Sequence, residues 1–126
     1  MSCRRILLID DETDIQTVAK IGITLSTNWE VITANSGEAG LELAIASPPD
    51  AILLDVAMPG MDGLATLAAL KKHQVTTDIP IIFLTAKAQA ADRRRLYEAG
   101  ARGVITKPFD PTTLVSQMAG FLEWVL

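Results

Sequence analysis

The chain has 126 residues, 49% hydrophobic and 21% charged, a globular composition that excludes a disordered chain. One domain over residues 1–126 suits that length, and it should bury about two thirds of the surface exposed on unfolding without covalent staples. A single cysteine, Cys3, excludes an internal disulfide framework or cysteine-built zinc site, a single histidine, His73, excludes a multi-histidine metal centre, and a net charge of −4 argues against a duplex-DNA surface.

In chain order, Arg4 and Arg5 precede a first apolar run at residues 6–9, which Asp10, Asp11 and Glu12 end at once. That run is too short for a signal peptide, and no run approaches the roughly twenty residues of a membrane span. The expectation is a soluble, cytoplasmic protein without membrane contact. Further apolar runs follow at residues 31–34, 51–54, 79–84 and 103–106. Several are β-branched and lack polar alternation, as strands buried on both faces do.

Helical spacing fills the intervals. Ile15, Val18, Ala19, Gly22 and Leu25 share one face of a first helix. Ala39, Leu43 and Ala44 mark a second, with Ser36 as N-cap and Ala39 as its third helical residue. Leu64, Leu67 and Ala68 follow a second capping residue, Asp62. Residues 88–99 form a fourth helix that stops at Gly100. Leu114, Met118, Phe121, Leu122 and Val125 stripe the last helix, which Asp110 and Pro111 open as cap and first residue. Trp124 falls off that stripe, and either packs on its own chain or waits for a partner.

Five βα units predict an α/β fold with a five-stranded parallel sheet and helices on both faces. Five strands suit the flavodoxin-like order 2-1-3-4-5 better than the six-stranded dinucleotide fold. Ligands on such sheets bind beyond the carboxyl ends of the strands, where the order reverses. The residues predicted there are Asp10 and Asp11 after strand 1, Asp55 after strand 3, Thr85 after strand 4 and Lys107 after strand 5.

Three clustered carboxylates repel one another, so they either raise a pKa or hold a cation. Oxygen ligands suit Mg²⁺, which keeps room for water and a phosphoryl oxygen. With Mg²⁺ on Asp11 and Asp55, Lys107 and Thr85 complete a clamp for phosphoryl transfer, and Asp55 is the nucleophile that becomes an acyl phosphate. Neither the Gly-rich dinucleotide fingerprint nor a P-loop follows strand 1.

Four motifs, each after a predicted strand, resemble the response-regulator receiver domains of two-component signalling, in particular single-domain chemotaxis regulators. They are Leu8-Ile9-Asp10-Asp11-Glu12, the run from Leu54-Asp55-Val56-Ala57-Met58-Pro59 through Gly60-Met61-Asp62-Gly63, Leu84-Thr85-Ala86, and Lys107-Pro108-Phe109. The resemblance implies that Asp55 is the phosphoacceptor, charged from a phosphohistidine of a sensor histidine kinase or a histidine phosphotransfer protein. It implies that Asp10, Asp11, Asp55 and the backbone carbonyl of Ala57 hold Mg²⁺, that Thr85 and Lys107 bind the phosphoryl group, and that the Lys107–Pro108 bond is cis. The implied activity is signalling by phosphorylation-dependent docking of a downstream protein, or phosphorelay. Such a chain is not an enzyme beyond its own phosphorylation and dephosphorylation, and contacts no nucleic acid directly. Its output partner would be another chain, since the sequence ends about where the fifth helix should.

Three positions depart from the family pattern. Val104 stands where many receivers carry Tyr or Phe, so the usual aromatic switch cannot operate. Ala57 and Lys87 stand where the family flanks the path of attacking water, and are expected to set the acyl-phosphate lifetime. Arg93, Arg94 and Arg95 read foremost as a solvated helix face, and otherwise as a site for an acidic partner or self-association through helix 4, strand 5 and helix 5. His73 reads as an exposed helix-end residue, Cys3 as without redox role, and Gly60 and Gly63 as loop-forming. Two rival classes are weighed against these. An aspartyl-phosphate phosphatase of the haloacid dehalogenase type wants an acid where Ala57 stands, and a flavin module fits poorly with an acidic first loop and 5% aromatic residues. A receiver that docks partners without phosphorylation is the remaining alternative.

Overall fold

The computed structural model describes residues 3–87 and 89–126. Five strands, β1 (Arg5–Ile9), β2 (Glu30–Ala34), β3 (Ala51–Asp55), β4 (Ile81–Thr85) and β5 (Gly103–Thr106), alternate with five helices. These are α1 (Thr13–Ser26), α2 (Gly37–Ala46), α3 (Gly63–Lys72), α4 (Ala90–Ala99) and α5 (Leu114–Leu122). All strand pairs are parallel, in the order β2-β1-β3-β4-β5, as the sequence predicts. β1 pairs with β3 from Ile6 opposite Ala51 to Ile9 opposite Leu54, so Asp10 and Asp55 leave the sheet side by side.

The central strands are apolar through their interiors, at Ile6–Ile9, Ala51–Leu54 and Ile81–Leu84, because each face of the sheet carries its own core. Ile6, Leu8, Leu53, Ile82, Leu84 and Ile105 pack with Ala19 and Ile23 of α1 and with Leu114, Val115, Met118 and Leu122 of α5. The alternate residues Leu7, Ile9, Ile52, Leu54, Phe83 and Val104 pack with Ala44 of α2, Leu67 and Leu70 of α3, and Leu96 of α4. Each fully buried Leu or Ile contributes about 1.5–3 kcal/mol over its exposed state, so the sheet carries most of the core burial.

The predicted caps form. Ser36 Oγ accepts from the Ala39 N–H at 3.1 Å, Asp62 Oδ1 accepts from the Ala65 N–H at 2.8 Å, and Gly100 ends α4 at φ 119°. Of the predicted fourth helix, residue 88 lies outside the described residues.

The fifth helix differs from expectation at both ends. Asp110 does not cap it: its Oδ1 accepts from the Thr112 N–H at 2.8 Å and from the Thr112 hydroxyl at 2.6 Å. Residues 111–113 are therefore a turn, and α5 begins at Leu114. These donors hold the exposed Asp110 carboxyl below its usual pKa, the hydroxyl most strongly and the N–H next. At the other end Glu123 turns left-handed at φ 59° and the Trp124 N–H bonds back to Ala119 O at 3.0 Å. Val125 thereby leaves the stripe and is exposed.

Trp124 packs on its own chain. Its ring meets Trp29 edge to face at 5.3 Å, and the Arg4 guanidinium lies 4.2 Å above it. Val18, Leu25, Leu43 and Ala68 are exposed on their helices, outside the buried stripes. In α1 that stripe is Ala19, Gly22 and Ile23. His73 is half-buried rather than exposed: it caps the C-terminal end of α3, and its Nδ1 accepts from the Val75 N–H at 3.2 Å.

Candidate functional site

The first acid is placed by the end of β1. Asp10 follows the strand directly, its N–H bonded to Ala34 O at 3.1 Å, and its side chain is fully buried. Asp10 Oδ1 accepts from the Glu12 N–H at 2.8 Å, which bends the chain into α1 and leaves Asp11 on the surface. Asp55 ends β3 and is also buried, with Oδ1 accepting from the Ala57 N–H at 3.3 Å. The loop beyond it closes because Gly60 takes φ 71° and Gly63 abuts the strand end. A Cβ on Gly63 would collide with the Asp55 carbonyl oxygen, and the Gly63 N–H bonds Val56 O at 2.9 Å. Both glycines serve loop geometry, as expected, and one holds the backbone of Asp55 in place.

Lys107 arrives from β5. Its N–H bonds Thr85 O at 2.8 Å, and its peptide bond to Pro108 is cis, as the resemblance implies. Lys107 Nζ lies 3.0 Å from Asp10 Oδ2, 3.1 Å from Asp55 Oδ1 and 3.2 Å from Glu12 Oε1. Carboxylate oxygens of Asp10, Asp11, Glu12 and Asp55 all lie within 4.8 Å of one another.

One ammonium therefore faces a cluster of four acids. Burial pushes the Asp55 carboxyl up to about 6, with the Asp10 charge adding to it and Lys107 opposing. Burial disfavours the Lys107 ammonium, but Asp10 and Asp55 outweigh that cost and hold its pKa above the ordinary lysine value. Among the described residues, Asp55 Oδ2 is buried with no hydrogen-bond partner, and Asp10 Oδ2 meets only the Lys107 ammonium, off hydrogen-bond alignment. Buried oxygens left this way are costly. An oxygen-only donor set with excess negative charge and an unpartnered buried oxygen fits a hard divalent cation.

Of the predicted residues, the structure brings together Asp10, Asp11, Asp55 and Lys107. Ala57 lies at the rim, its N–H on Asp55. Thr85 is buried at the end of β4, but its hydroxyl engages the next turn, accepting from the Lys87 N–H at 3.0 Å and donating to Lys87 O at 3.2 Å. Glu12 is the residue that sequence reasoning misses. Its only signal was its place as third in a run of acids, and its contact with Lys107 spans 95 residues of sequence. Val104 is buried in the core shared with Phe83 and Leu96. Arg94 and Arg95 are exposed on α4, and Arg93 donates to Thr106 Oγ1 at 3.3 Å.

An open α/β sheet with a cluster of four acids and a lysine at its switch point defines a class, and comparison with known proteins agrees with it. The sequence model of the response regulator receiver domain matches residues 6–119, and the chain belongs to that family. The phosphate regulon transcriptional regulatory protein PhoB of Pseudomonas aeruginosa is 34% identical over 120 residues, covering 95% of this chain and 52% of that protein. The DNA-binding dual master transcriptional regulator RpaA of Synechocystis is 34% identical over 119 residues, covering 94% and 49%. The chain thus spans about half the length of the curated relatives it matches. The Vibrio cholerae chemotaxis response regulator CheY4 superposes with a TM-score of 0.89 at 28% identity, over 95% of this chain and 99% of that one. The N-terminal domain of a response regulator receiver protein from Methanoculleus marisnigri gives 0.73 at 34% identity, over 94% and 96%. The phosphatase and flavin readings give way to this family.

Proposed function

We propose that Asp55 accepts a phosphoryl group from a phosphohistidine of a sensor histidine kinase or histidine phosphotransfer protein. A P–N bond breaks, a P–O bond forms to an Asp55 oxygen, and the leaving imidazole nitrogen keeps the electron pair. The observation that carries this is the Asp55 carboxylate, held on one oxygen by Lys107 and with the other unpartnered among the described residues. Asp10, Asp11 and Asp55, with the Ala57 carbonyl, would hold Mg²⁺, which when bound supplies positive charge for the transferring oxygens. Lys107 supplies the second charge. Thr85 reaches the phosphoryl group by giving up its bonds to Lys87, so the turn into α4 responds to phosphorylation although Val104 cannot act as an aromatic switch.

On this reading the chain is a cytoplasmic signalling module rather than an enzyme acting on external substrates. Its output is docking of a downstream protein or onward phosphorelay, with self-association through α4, β5 and α5 as one route, and no direct contact with nucleic acid or membrane. The test is intact mass after incubation with Mg²⁺ and acetyl phosphate. The parent gains one phosphoryl group and loses that gain with chelator, while Asp55→Asn gains none. An unmodified parent overturns the proposal, and a modified Asp55→Asn protein moves the acceptor elsewhere.

Ala57 and Lys87, both exposed beside the acceptor, set the lifetime of the acyl phosphate. An amide at 57 can orient water, and an acid at 87 can polarise it. Ala57→Asn and Lys87→Glu are each expected to shorten the half-life several-fold, as followed by phosphate release. Decay matching the parent in both variants rejects the role.

A further inference from the structure

Lys107 carries three N–H donors, and three carboxylate oxygens lie within 3.2 Å of its Nζ. Of the three, Glu12 is the one that accepts an aligned hydrogen bond from Lys107, at 3.2 Å, so a phosphoryl oxygen that reaches this ammonium competes with it. The three partners differ in what release costs. The Asp10 side chain is 0% exposed and that of Asp55 is 4% exposed, so either would be stranded away from water. The Glu12 side chain is 60% exposed, and a released Glu12 carboxylate is solvated at once.

Glu12 is also free to move. It occupies the N-cap position of α1, but its side chain makes no capping hydrogen bond, so swinging it outward leaves the helix start intact. That start is held instead by Glu12's backbone groups, its N–H on the Asp10 side-chain Oδ1 and its carbonyl accepting from the Gln16 N–H at 3.2 Å.

We propose that Glu12 is a positioning residue that occupies the phosphoryl-binding donor of Lys107 in the resting state and is displaced when the phosphoryl group binds. This rests on the phosphoacceptor reading and adds a built-in competitor to it: Glu12 weakens the grip of Lys107 on the phosphoryl group without touching it. The size of the effect is that of one solvent-exposed ion pair, roughly two- to fivefold in affinity.

The test uses beryllofluoride, a stable phosphoryl mimic, titrated calorimetrically onto the Mg²⁺-loaded protein, with Mg²⁺ affinity measured separately. Glu12→Gln keeps the size of the side chain and removes its charge. It is expected to bind beryllofluoride about two- to fivefold more tightly than the parent, with Mg²⁺ affinity within twofold and an unchanged melting temperature. Asp14→Asn is the charge control: Asp14 is exposed in the first turn of α1 and makes no ion pair with Lys107. It is expected to leave beryllofluoride affinity unchanged.

Equal tightening in Asp14→Asn overturns the proposal, since general charge repulsion then accounts for the effect. A tenfold loss of Mg²⁺ affinity in Glu12→Gln overturns it by making Glu12 a metal partner. Unchanged beryllofluoride affinity in Glu12→Gln overturns it while leaving the phosphoacceptor reading intact. Failure of the parent itself to bind beryllofluoride overturns that reading, and this inference with it.

Discussion

Replacing Lys107 by alanine is expected to destabilise the metal-free protein by about 3 kcal/mol near neutral pH, the low end of the range for breaking a buried ion pair from one side. Lys107 is the sole cation in ion-pair contact with Asp10, Glu12 and Asp55 among the described residues. Without it, two buried carboxylates face each other unscreened, and Asp55 relieves the repulsion by holding a proton to higher pH. The loss is therefore pH-dependent.

In the parent, the Asp55 pKa is already raised from 3.8 to about 6. A carboxyl raised on folding favours the folded state while it is protonated, so metal-free stability falls as pH rises from about 4 to about 6 and then levels. Lys107, raised above 10.5, keeps its full contribution below about 10.5 and loses it as the pH rises through its folded value. In Lys107→Ala the falling limb extends above pH 6, so the difference between the proteins is smallest near pH 5 and grows toward pH 8. Denaturant unfolding of parent and variant across that range measures it. A pH-independent difference would place the lysine's value in packing rather than charge.

The second large effect is that of the cation. Mg²⁺ binding to the folded state stabilises by mass action, about 2.7 kcal/mol at one hundred times the dissociation constant, which raises the melting temperature by several degrees for a domain of this size. Chelator should reverse it. Asp11 is the most informative position to change. It is exposed and makes no hydrogen bond or ion pair among the described residues, so Asp11→Asn costs the metal-free fold within about 0.5 kcal/mol. The same substitution removes one of the carboxylates assigned to the ion and should abolish most of the Mg²⁺-induced shift. Asp10 and Asp55 give less clean results, because changing either also alters the ion pair with Lys107. A Mg²⁺ shift that survives in Asp11→Asn would remove Asp11 from the ligand set.

Both effects trace to residues that the sequence made legible. The parallel sheet follows from strands with apolar interiors, because a strand covered by helices on both faces has no polar side to alternate, and its order from the count of five βα units. Once the order is known, Asp10, Asp55, Thr85 and Lys107 must gather at one end, since each ends its strand or follows it directly. Caps such as Ser36 and Asp62 were legible for the same local reason: a short polar side chain bonds a backbone N–H three residues on.

What only the tertiary structure decided lies where a residue's partner is distant in sequence or where two local solutions compete. Asp110 had two, a helix cap or a turn closed on Thr112, and the turn won, moving the start of α5 to Leu114. Leu25 and Val125 are apolar at helical spacing yet exposed: the buried face of α1 is Ala19, Gly22 and Ile23, and α5 stops at Glu123. The Thr85 hydroxyl turns to the Lys87 backbone, a choice of rotamer that no spacing encodes. Glu12 meets Lys107 across the strand ends, which makes the third acid a competitor rather than a spectator. The sequence by itself determined which groups reach the site, because strand ends are set by local patterning. The folded chain determined which of them bond to one another, because that depends on distances of a few tenths of an ångström between residues far apart in the chain.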